Sequence, residues 1–542
     1  MEDSVSESES ARAGTGLSGE RMTRDRSDAL QEFFVEYNET LSLAAREMTG
    51  NFGALASPTL SKQETVTFLY QKVAELLAGS SVSASSAMLF TQYLELVARL
   101  GVVFLVLLLH SLLFRIRALP AGFVYVRTWL VPRSVGKAGV KDEYFRGFLD
   151  DLRQKYRVVV GFQPLGLLQP LHGFRRKNRS SDHIIPAGLL SAADVAKLVL
   201  NYARSARVRL RSANVFRSVN ITPVINRSLN ADYFKLRSFQ AYLDQAVAEK
   251  LNLFRPKAVF YIYENQSWEQ AYLQTLDRRV TQTVAYQSSG FSFRFLNFFP
   301  SKYDADAMKF PDAILTVGDL LAAVLEKYGH YPVPLVPFAA LRFSYPVQNG
   351  VYQVKEPRKD LYGRVLYAFA VHKYQYAKVV GQLKSAFADT KIEVVLKFHP
   401  IFDPKTILLG LPSNFRVWGA SGLDHGPLDS SYDAVIFNDN SFGIEALILG
   451  VKSFEYVCED LYSECRMLEF SAYPCTLDFN GMVALRDQLV DGTFDKTYDV
   501  GEVKAYVNRL YKPYTEDAFR KVCDLLDRQS TRGLAYATCV GL

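Results

Sequence analysis

The sequence predicts an α/β protein in which two parallel sheets, each covered by helices, face each other across a cleft. Three observations support this fold class. From Gly122 onward, short apolar runs alternate with helical patterns, which is the order of elements in α/β domains. The runs are apolar throughout, as expected of parallel strands that are buried on both faces. The chain has 542 residues, 49% of them hydrophobic and 22% charged, which is enough for two such domains and further elements.

Charge and cysteine content narrow the functional classes. The formal net charge of +7 is modest for this length, so nucleic-acid binding is not expected, although the charge suits an anionic membrane surface. The 5 cysteines are few, odd in number and contain no CxxC pair. This pattern argues against a disulfide framework or a zinc site and favours reduced, buried cysteines in a reducing compartment.

The N-terminal region is predicted to hold a disordered segment followed by two helices. Residues 1–27 are rich in Ser, Glu, Arg and Gly and lack the apolar side chains that offset the entropy of ordering. Residues 28–86 are predicted to be helical, with patterns at about Ser27–Met48 and Ser61–Leu77. The sequence leaves open whether these helices pack on each other, on a partner or on the main body.

A hydrophobic helix is predicted within residues 87–118. The run Leu100–Phe114 is uncharged over about fifteen residues, which is shorter than the roughly twenty needed to span a bilayer. Extension back to Ala87 reaches that length but includes Glu95 and Arg99. A spanning helix, a helix lying in one leaflet and a buried core helix all remain open. Basic residues cluster after the run, which places the following domain in the cytoplasm by the positive-inside rule: Arg115, Arg117, Arg127, Arg133 and Lys137.

The remaining chain divides into two α/β halves. The predicted bounds are 121–344 for the first, acceptor-binding domain, 345–362 for a linker, 363–515 for the second, donor-binding domain, and 516–542 for a C-terminal helix and tail. In the first half, Ala258–Tyr263 is predicted to be a strand and Ser267 to cap the helix that follows it. A basic loop at Arg175–Arg179 is predicted to be either a solvated surface or a contact with anionic groups.

The stretch Lys391–Val457 contains the residues most suggestive of a ligand-binding site. It contains two predicted strands, KIEVVLKFHP and YDAVIF, and the second passes through Asn438–Ser441 into a helix closed by Gly450. Ligands of parallel sheets bind at the carboxyl ends of the strands, and backbone N–H groups at a helix start favour phosphate. His399 and Ser441 would both lie at this edge. The sequence therefore predicts a nucleotide-binding site there.

Several motifs occur in a fixed order: VRTWLVPRS with DEYF, YENQSWE at Tyr263–Glu269, QSS at Gln287–Ser289, ALR at Ala340–Arg342, KFHP, and NDNSFGIEALILG. In combination they resemble bacterial surface-carbohydrate biosynthesis proteins, which are predicted GT-B glycosyltransferases with two Rossmann-like domains. The resemblance extends from about Phe123 to Val457. The HP and serine motifs are similar to those of sialyl- and polysialyltransferases and of teichoic-acid-type polymerases, which use CMP- or CDP-activated donors. Similar proteins often have a histidine where this chain has Tyr286–Ser289.

The resemblance implies a set of donor-binding residues in the second half. His399 would contact the leaving phosphate and stabilise its charge, and it is assigned a catalytic role. Glu445 would accept from a ribose hydroxyl or would be an ordinary first-turn acid. The remaining implied donor-binding residues are Lys397, Pro400, Asn440, Ser441, Phe442, His372 and Lys373.

The first half is expected to bind the acceptor. Glu264, at a strand end, would act as the general base or would instead hold its neighbours in place. Arg342 would orient a substrate anion or form an interdomain salt bridge. Residues assigned to the acceptor or to the interdomain contact are Asn265, Gln266, Trp268, Gln287 and Ser288. The DxD pattern Asp304–Asp306 lies in a polar loop and is predicted to be a solvated turn, so no metal is expected.

These features predict a metal-independent glycosyltransferase on the cytoplasmic face of a bacterial inner membrane. A nucleotide-activated sugar would be its donor, with no other cofactor, and a surface polysaccharide or glycolipid its acceptor. Two alternatives remain: transfer of a polyol phosphate from a CDP donor, and a non-catalytic GT-B scaffold for glycan assembly. Motifs of phosphate-loop NTPases, α/β-hydrolases and zinc proteases are absent from the sequence.

Overall fold

The computed structural model describes residues 35–46, 87–131, 134–136, 139–164, 182–204, 210–288, 290, 295–304, 308–343, 345–369, 375–398, 410–418, 431–438, 440–457 and 476–527. Several predicted features lie outside these ranges: the disordered segment 1–27, the helix Ser61–Leu77, the basic loop Arg175–Arg179, His372 and Lys373, and His399 and Pro400.

The strands, numbered in chain order, are β1 Val124–Leu130, β2 Val135–Gly136, β3 Gly139–Val140, β4 Val158–Pro164, β5 His183–Ile184, β6 Val215–Phe216, β7 Val219–Asn220, β8 Ala258–Ile262, β9 Gln282–Tyr286, β10 Ala313–Thr316, β11 Leu335–Pro337, β12 Val347–Gln348, β13 Val351–Tyr352, β14 Arg364–Ala368, β15 Glu393–Lys397, β16 Phe415–Val417, β17 Ala434–Phe437, β18 Lys452–Tyr456 and β19 Thr476–Leu477.

The helices are α1 at 35–46, α2 Ala87–Leu113, α3 Gly147–Lys155, α4 Ala192–Arg204, α5 Thr222–Phe234, α6 Phe239–Phe254, α7 Ser267–Thr275, α8 Asp319–Tyr328, α9 Tyr376–Phe387, α10 Phe442–Ile448, α11 Phe479–Val490, α12 Val500–Leu510 and α13 at 516–527. Short 3-10 turns occur at Pro186–Leu189 and Leu296–Phe298.

Two parallel sheets form the centre of the two halves. The first has seven strands in the order β11-β10-β9-β8-β1-β4-β5, and the second has six in the order β16-β15-β14-β17-β18-β19. All pairings within both sheets are parallel. Central strands such as β1, β8 and β17 are buried along their whole length, because helices cover both faces. The predicted fold class, two Rossmann-like α/β halves, is confirmed.

The helix patterns of the first half were predicted less well than its strands. The helical pattern at about Tyr233–Leu251 predicts the helix observed as α6, whereas the preceding helix α5 was not predicted. The helical pattern at about Asp142–Lys155 predicts a helix that in the structure begins at Gly147, because the Asp142 carboxylate binds backbone N–H groups and folds residues 142–146 into a turn. Short-range side-chain hydrogen bonds therefore delayed the helix start.

Helix α1 packs on the main body, which decides between the alternatives that the sequence left open. The Ser42 hydroxyl donates to Asp304 Oδ2 at 2.8 Å, and the Asn38 amide donates to the carbonyl of Phe299. Asp304 also accepts from the backbone N–H of Ser301 at 2.8 Å and is only 3% exposed. The prediction that Asp304 belongs to a solvated turn is wrong, since α1 covers it.

Helix α2 contains the hydrophobic run and packs along its length on the first half. At one end Tyr93 contacts the ring of Phe234 with centroids 5.0 Å apart. At the other end the Ser111 hydroxyl donates to the carbonyl of Leu190 at 2.6 Å. Within the described residues, Gln92–Leu113 is the one segment long and apolar enough to span a membrane, and about a third of its most apolar window is buried.

The C-terminal helix α13 returns to the first half and closes the amino-terminal edge of its sheet. Asp527 accepts from Lys155 at 3.0 Å and from Lys257 and the Tyr156 hydroxyl, each at 2.9 Å. Its neighbour Cys523 is buried and is not in a disulfide, in line with the expectation of reduced, buried cysteines. The two halves are thus joined at the linker and again at α13.

Candidate functional site

The carboxyl edge of the second sheet brings Lys397 close to the start of α10. Ala368 at the end of β14 is paired with Lys397 on one side and with Phe437 on the other. The Lys397 ammonium lies 4.7 Å from the ring centroid of Phe442, the first residue of α10. Parallel register therefore places the predicted cation beside the predicted polar turn. The proximity of His399 to Ser441 stays a prediction, because His399 lies outside the described residues.

The turn before α10 is held by Asn440. Its side-chain amide donates to the carbonyls of Ala368 at 2.9 Å and Asn438 at 2.8 Å, and its Oδ1 accepts from the backbone N–H of Phe442 at 2.9 Å. This side chain consequently fixes the turn against β14. The following Gly443 is required by packing, since a Cβ atom there would lie 2.0 Å from the ring of Phe437.

Glu445 joins the start of the linker to the first turn of α10. Its Oε2 accepts from the Tyr345 hydroxyl at 2.8 Å, and its Oε1 accepts from the Ser441 hydroxyl at 3.4 Å. Burial and the adjacent carboxylate raise the pKa of Tyr345 far above its usual value, so the hydroxyl remains a donor. Tyr345 is the first residue of the linker that follows the first half, and Glu445 lies in the helix that follows β17 of the second sheet. This hydrogen bond therefore fixes the beginning of the linker against α10.

Glu264 lies in a turn whose backbone is hydrogen-bonded to the buried carboxylate of Glu269. Oε1 of Glu269 accepts from the backbone N–H groups of Glu264 at 2.8 Å and Gln266 at 2.9 Å. Glu269 is 1% exposed, and burial raises its pKa well above the usual value although these donors oppose the shift. Glu264 itself is partly exposed. The role of Glu269 was missed, although its position three residues after Gln266 fits a capping box.

Two residues predicted to contact the acceptor are buried beneath this turn. Asn265 is 3% exposed, has a positive φ of 47°, and donates to the carbonyl of Asn297 at 2.8 Å. Trp268 is also 3% exposed, and the Arg127 guanidinium lies 3.4 Å from its ring centroid. Arg127 in turn pairs with Asp244, with both side chains 0% exposed. The YENQSWE motif thus builds a rigid support that holds Glu264 and Gln266 at the surface.

The next strand end, β9, positions Arg342. The Tyr286 hydroxyl donates to the carbonyl of Ala339 at 2.9 Å and accepts from the N–H of Leu341 at 2.9 Å. Gln287 is fully buried, and its Oε1 accepts from the backbone N–H of Val317 at 3.4 Å. Ser288 is buried as well. These contacts fix the segment that leads to Arg342.

Arg342 is a partly exposed cation with no carboxylate partner among the residues that the structure describes. Its guanidinium carbon lies 5.3 Å from the ring centroid of Tyr144. Tyr144 belongs to the DEYF turn, where Asp142 Oδ1 accepts from the Tyr144 N–H at 2.9 Å and from that of Phe145. Arg146 completes the turn with a positive φ of 43°. Neither Tyr144 nor Arg146 was predicted as a site residue, although DEYF was part of the resemblance.

Comparisons with known proteins show weak structural similarity. No protein-family model and no curated protein matches the chain. Among solved structures, the glycosyltransferase SnogD from Streptomyces nogalater is 15% identical, with 75% of this chain and 100% of that chain covered and a TM-score of 0.38. The UDP-N-acetylglucosamine 2-epimerase from Rickettsia bellii is 11% identical, with 76% and 98% covered and a TM-score of 0.40. The wall teichoic acid polymerase TagF is 11% identical, with 83% and 100% covered and a TM-score of 0.38. Similarity at this level carries no functional argument, and the fold assignment rests on the two sheets.

The candidate residues are one acid, Glu264, and two cations, Arg342 and Lys397. Glu264 and Arg342 follow strands of the first sheet, and Lys397 ends a strand of the second. Carboxyl edges of parallel sheets are where ligands bind in α/β proteins. Within the described ranges no group of three or more His, Cys, Asp or Glu side chains is arranged to hold a metal ion. The two cations suit an anionic ligand, and the Glu264 carboxylate is a group that can accept a proton.

Proposed function

We propose that this protein is a glycosyltransferase that moves a sugar from a nucleotide donor to a glycan or glycolipid acceptor. The observation that carries the proposal is the carboxyl edge of the second parallel sheet, where the Lys397 ammonium lies 4.7 Å from the ring centroid of Phe442 at the start of α10. Arg342, which follows β11 of the first sheet, supplies a second cation. The order of motifs along the chain supports the same function through its resemblance to GT-B glycosyltransferases.

In the proposed reaction, Glu264 takes the proton of an acceptor hydroxyl whose oxygen forms a bond to the anomeric carbon of the donor sugar. The bond between that carbon and the nucleotide phosphate breaks, and the phosphate leaves with the electron pair. Lys397, Asn440 and Ser441 would hold that phosphate at the carboxyl edge of the second sheet. His399 would stabilise the same charge, as the resemblance implies.

Arg342 indicates which class of sugar the protein would transfer. A partly buried guanidinium without a carboxylate partner is suited to bind a planar anion. We therefore propose that the transferred sugar is acidic and CMP-linked, with its carboxylate on Arg342. The proposed acceptor is a surface polysaccharide, such as a capsule or lipopolysaccharide, that is assembled at the cytoplasmic face of the inner membrane.

Nucleotide binding tests the donor site directly. Calorimetric titration of the full chain with CMP, CDP, UDP and GDP should reveal one preferred nucleotide. Lys397→Ala should weaken its binding about 10- to 100-fold, which is typical for loss of a charged contact. Lys391→Ala is the matched control, because Lys391 is an exposed lysine before the opposite end of β15 and should leave binding unchanged.

Transfer is tested separately from binding. Glu264→Gln should retain nucleotide affinity and reduce transfer about 10²- to 10⁴-fold. The mass of the product distinguishes an added sugar from an added polyol phosphate, which is the main enzymatic alternative. A chain that binds none of the nucleotides at millimolar concentration would leave only the scaffold interpretation. Equal losses of affinity in the Lys397 and Lys391 variants would contradict the assigned donor edge.

A further inference from the structure

Helix α2 has two apolar faces, and among the residues that the structure describes only one of them is covered. Its inner face, which packs on the first half, is buried and is formed by Leu96, Leu100, Val103, Leu107, His110 and Ser111. Its outer face is exposed: Leu94 57%, Val97 66%, Leu105 63%, Leu109 52% and Leu112 63%. The two sets point in opposite directions on a helix with 3.6 residues per turn. A soluble surface helix would carry polar residues on the outer face.

The inner face is attached too firmly for α2 to leave the domain. Beyond the Tyr93–Phe234 and Ser111–Leu190 contacts, the backbone N–H of Ile116 donates to the carbonyl of Gly188 at 2.9 Å. A Cβ atom on Gly188 would lie 2.1 Å from the carbonyl oxygen of Phe114, so the chain after α2 touches this turn directly. A helix that crossed a bilayer in this arrangement would bring the polar surface of the domain into the hydrocarbon, which is unfavourable.

Charge complementarity identifies the partner. Arg115 and Arg117 follow the outer face directly and are both exposed. Neither has an ion-pair partner in the part of the chain that the structure describes. An exposed apolar face gains free energy by inserting into the acyl boundary of a leaflet, and basic residues next to it are attracted to anionic lipid headgroups.

We propose that α2 lies in the plane of an anionic membrane, with its outer face inserted in one leaflet and its inner face packed on the protein. This inference does not depend on sugar transfer. It does place the membrane on the same half as Glu264, and under the proposed function that half binds the acceptor. A lipid-linked acceptor would then reach the cleft without the domain leaving the surface.

Vesicle binding by the full chain tests the outer face. Vesicles of phosphatidylcholine with phosphatidylglycerol should bind the protein more tightly than pure phosphatidylcholine. Leu105→Glu and Leu109→Glu should each lower the partition constant about tenfold or more, since each removes apolar area that the lipid would bury. Val490→Glu is the matched control, because Val490 is 57% exposed on the second half and should leave binding unchanged. Thermal unfolding of each variant verifies the fold.

The arginines are tested as a pair. Arg115→Gln combined with Arg117→Gln should weaken binding to the anionic vesicles about tenfold or more, since each basic residue near the surface contributes electrostatic attraction. Binding to pure phosphatidylcholine should be unaffected by the same substitutions. An equal loss on both kinds of vesicle would contradict a role for the arginines in recognising the anionic surface.

Insertion depth distinguishes a helix in the plane from a spanning helix. Leu94 and Leu112 are separated by about 27 Å along a helix, close to the thickness of the hydrocarbon core of a bilayer. Tryptophan introduced as Leu94→Trp, Leu105→Trp or Leu112→Trp can be quenched by lipids brominated at different depths. The proposal predicts the same shallow depth at all three positions. A deep Leu105 position between two shallow ends would overturn it in favour of a spanning helix.

Two other results would also overturn the proposal. The intact protein could fail to bind either kind of vesicle, which would mean that the outer face is covered in solution. Sedimentation could instead show a dimer that Leu105→Glu converts to monomer with no change in vesicle binding, which would assign the face to a second copy. Loss of vesicle binding with retained nucleotide affinity would support the proposal independently of the donor site.

Discussion

The ion pair between Arg127 and Asp244 offers the sharpest test of how the candidate site is supported. The two carboxylate oxygens accept from Nε at 3.4 Å and from Nη2 at 3.2 Å, and both side chains are completely buried. The guanidinium also lies 4.2 Å from the ring centroid of Trp129 and 3.4 Å from that of Trp268. The pair therefore lies directly beneath the turn that carries Glu264.

Removing one partner of the ion pair should lower the free energy of unfolding far more than removing both. Arg127→Met leaves the Asp244 carboxylate buried without its cation, although the amide of Gln240 still donates to it at 2.6 Å. An uncompensated buried charge costs about 3–5 kcal/mol. Replacing both residues, as Arg127→Met with Asp244→Leu, removes the charge as well, and such replacements are often nearly neutral. We expect the double variant to lie within about 1–2 kcal/mol of the wild-type protein.

Urea unfolding, monitored by tryptophan fluorescence, measures the difference in stability between the single and double variants. With an m-value of about 3 kcal/mol per M, a loss of about 4 kcal/mol lowers the midpoint by roughly 1.3 M. Lys521→Met is the control, because Lys521 and its partner Asp517 are 60% and 62% exposed and such pairs contribute little. A shift of the Arg127→Met midpoint no larger than that of the control would refute the reasoning. So would a double variant as unstable as the sum of the two single ones, since the coupling between the charges would then be absent.

Three further predictions concern the contacts between elements. Partial burial raises the pKa of Asp527, but donors from two lysines and a tyrosine lower it more, to about 2. Because this folded-state pKa lies below the unfolded value of 3.8, the stabilisation is complete above about pH 4 and is lost as the pH falls towards 2. Asp527→Asn should therefore lower the melting temperature at pH 7 but not at pH 2. Gly443→Ala should cost about 1–3 kcal/mol in urea unfolding through its clash, whereas Gly381→Ala, with no atom within 4 Å of the new Cβ, should be neutral or stabilising. Tyr345→Phe should cost about 0.5–1.5 kcal/mol by removing the donor to Glu445, and an unchanged urea midpoint would show that this bond between the linker and α10 is not formed in solution.

Local sequence was sufficient to predict most of the framework. The strands β8, β15 and β17 occur where short apolar runs predicted them, because a strand covered on both faces needs no polar alternation. The helix from Phe442 and its end at Gly450, which has a φ of 80°, were also predicted. Such signals lie within a window of about ten residues, which is why they can be read without the fold.

The supporting polar contacts could not be predicted, because they join distant parts of the chain. Arg127 and Asp244 are 117 positions apart, and Ser42 and Asp304 are 262 apart. Nothing in the local pattern distinguishes such a buried charge from a solvated one. Only the tertiary fold brings the partner of a buried charged residue within hydrogen-bond distance.

The sequence by itself determined that the chain has two parallel sheets, a hydrophobic helix before them and polar turns at their carboxyl edges. Tertiary structure decided which side of that helix is covered, which motif residues are buried as support, and where the linker binds the second half. Apolar spacing is a local property, so sequence alone reveals which residues avoid water. Which surfaces remain exposed depends on long-range packing, and that is settled only when the whole chain has folded.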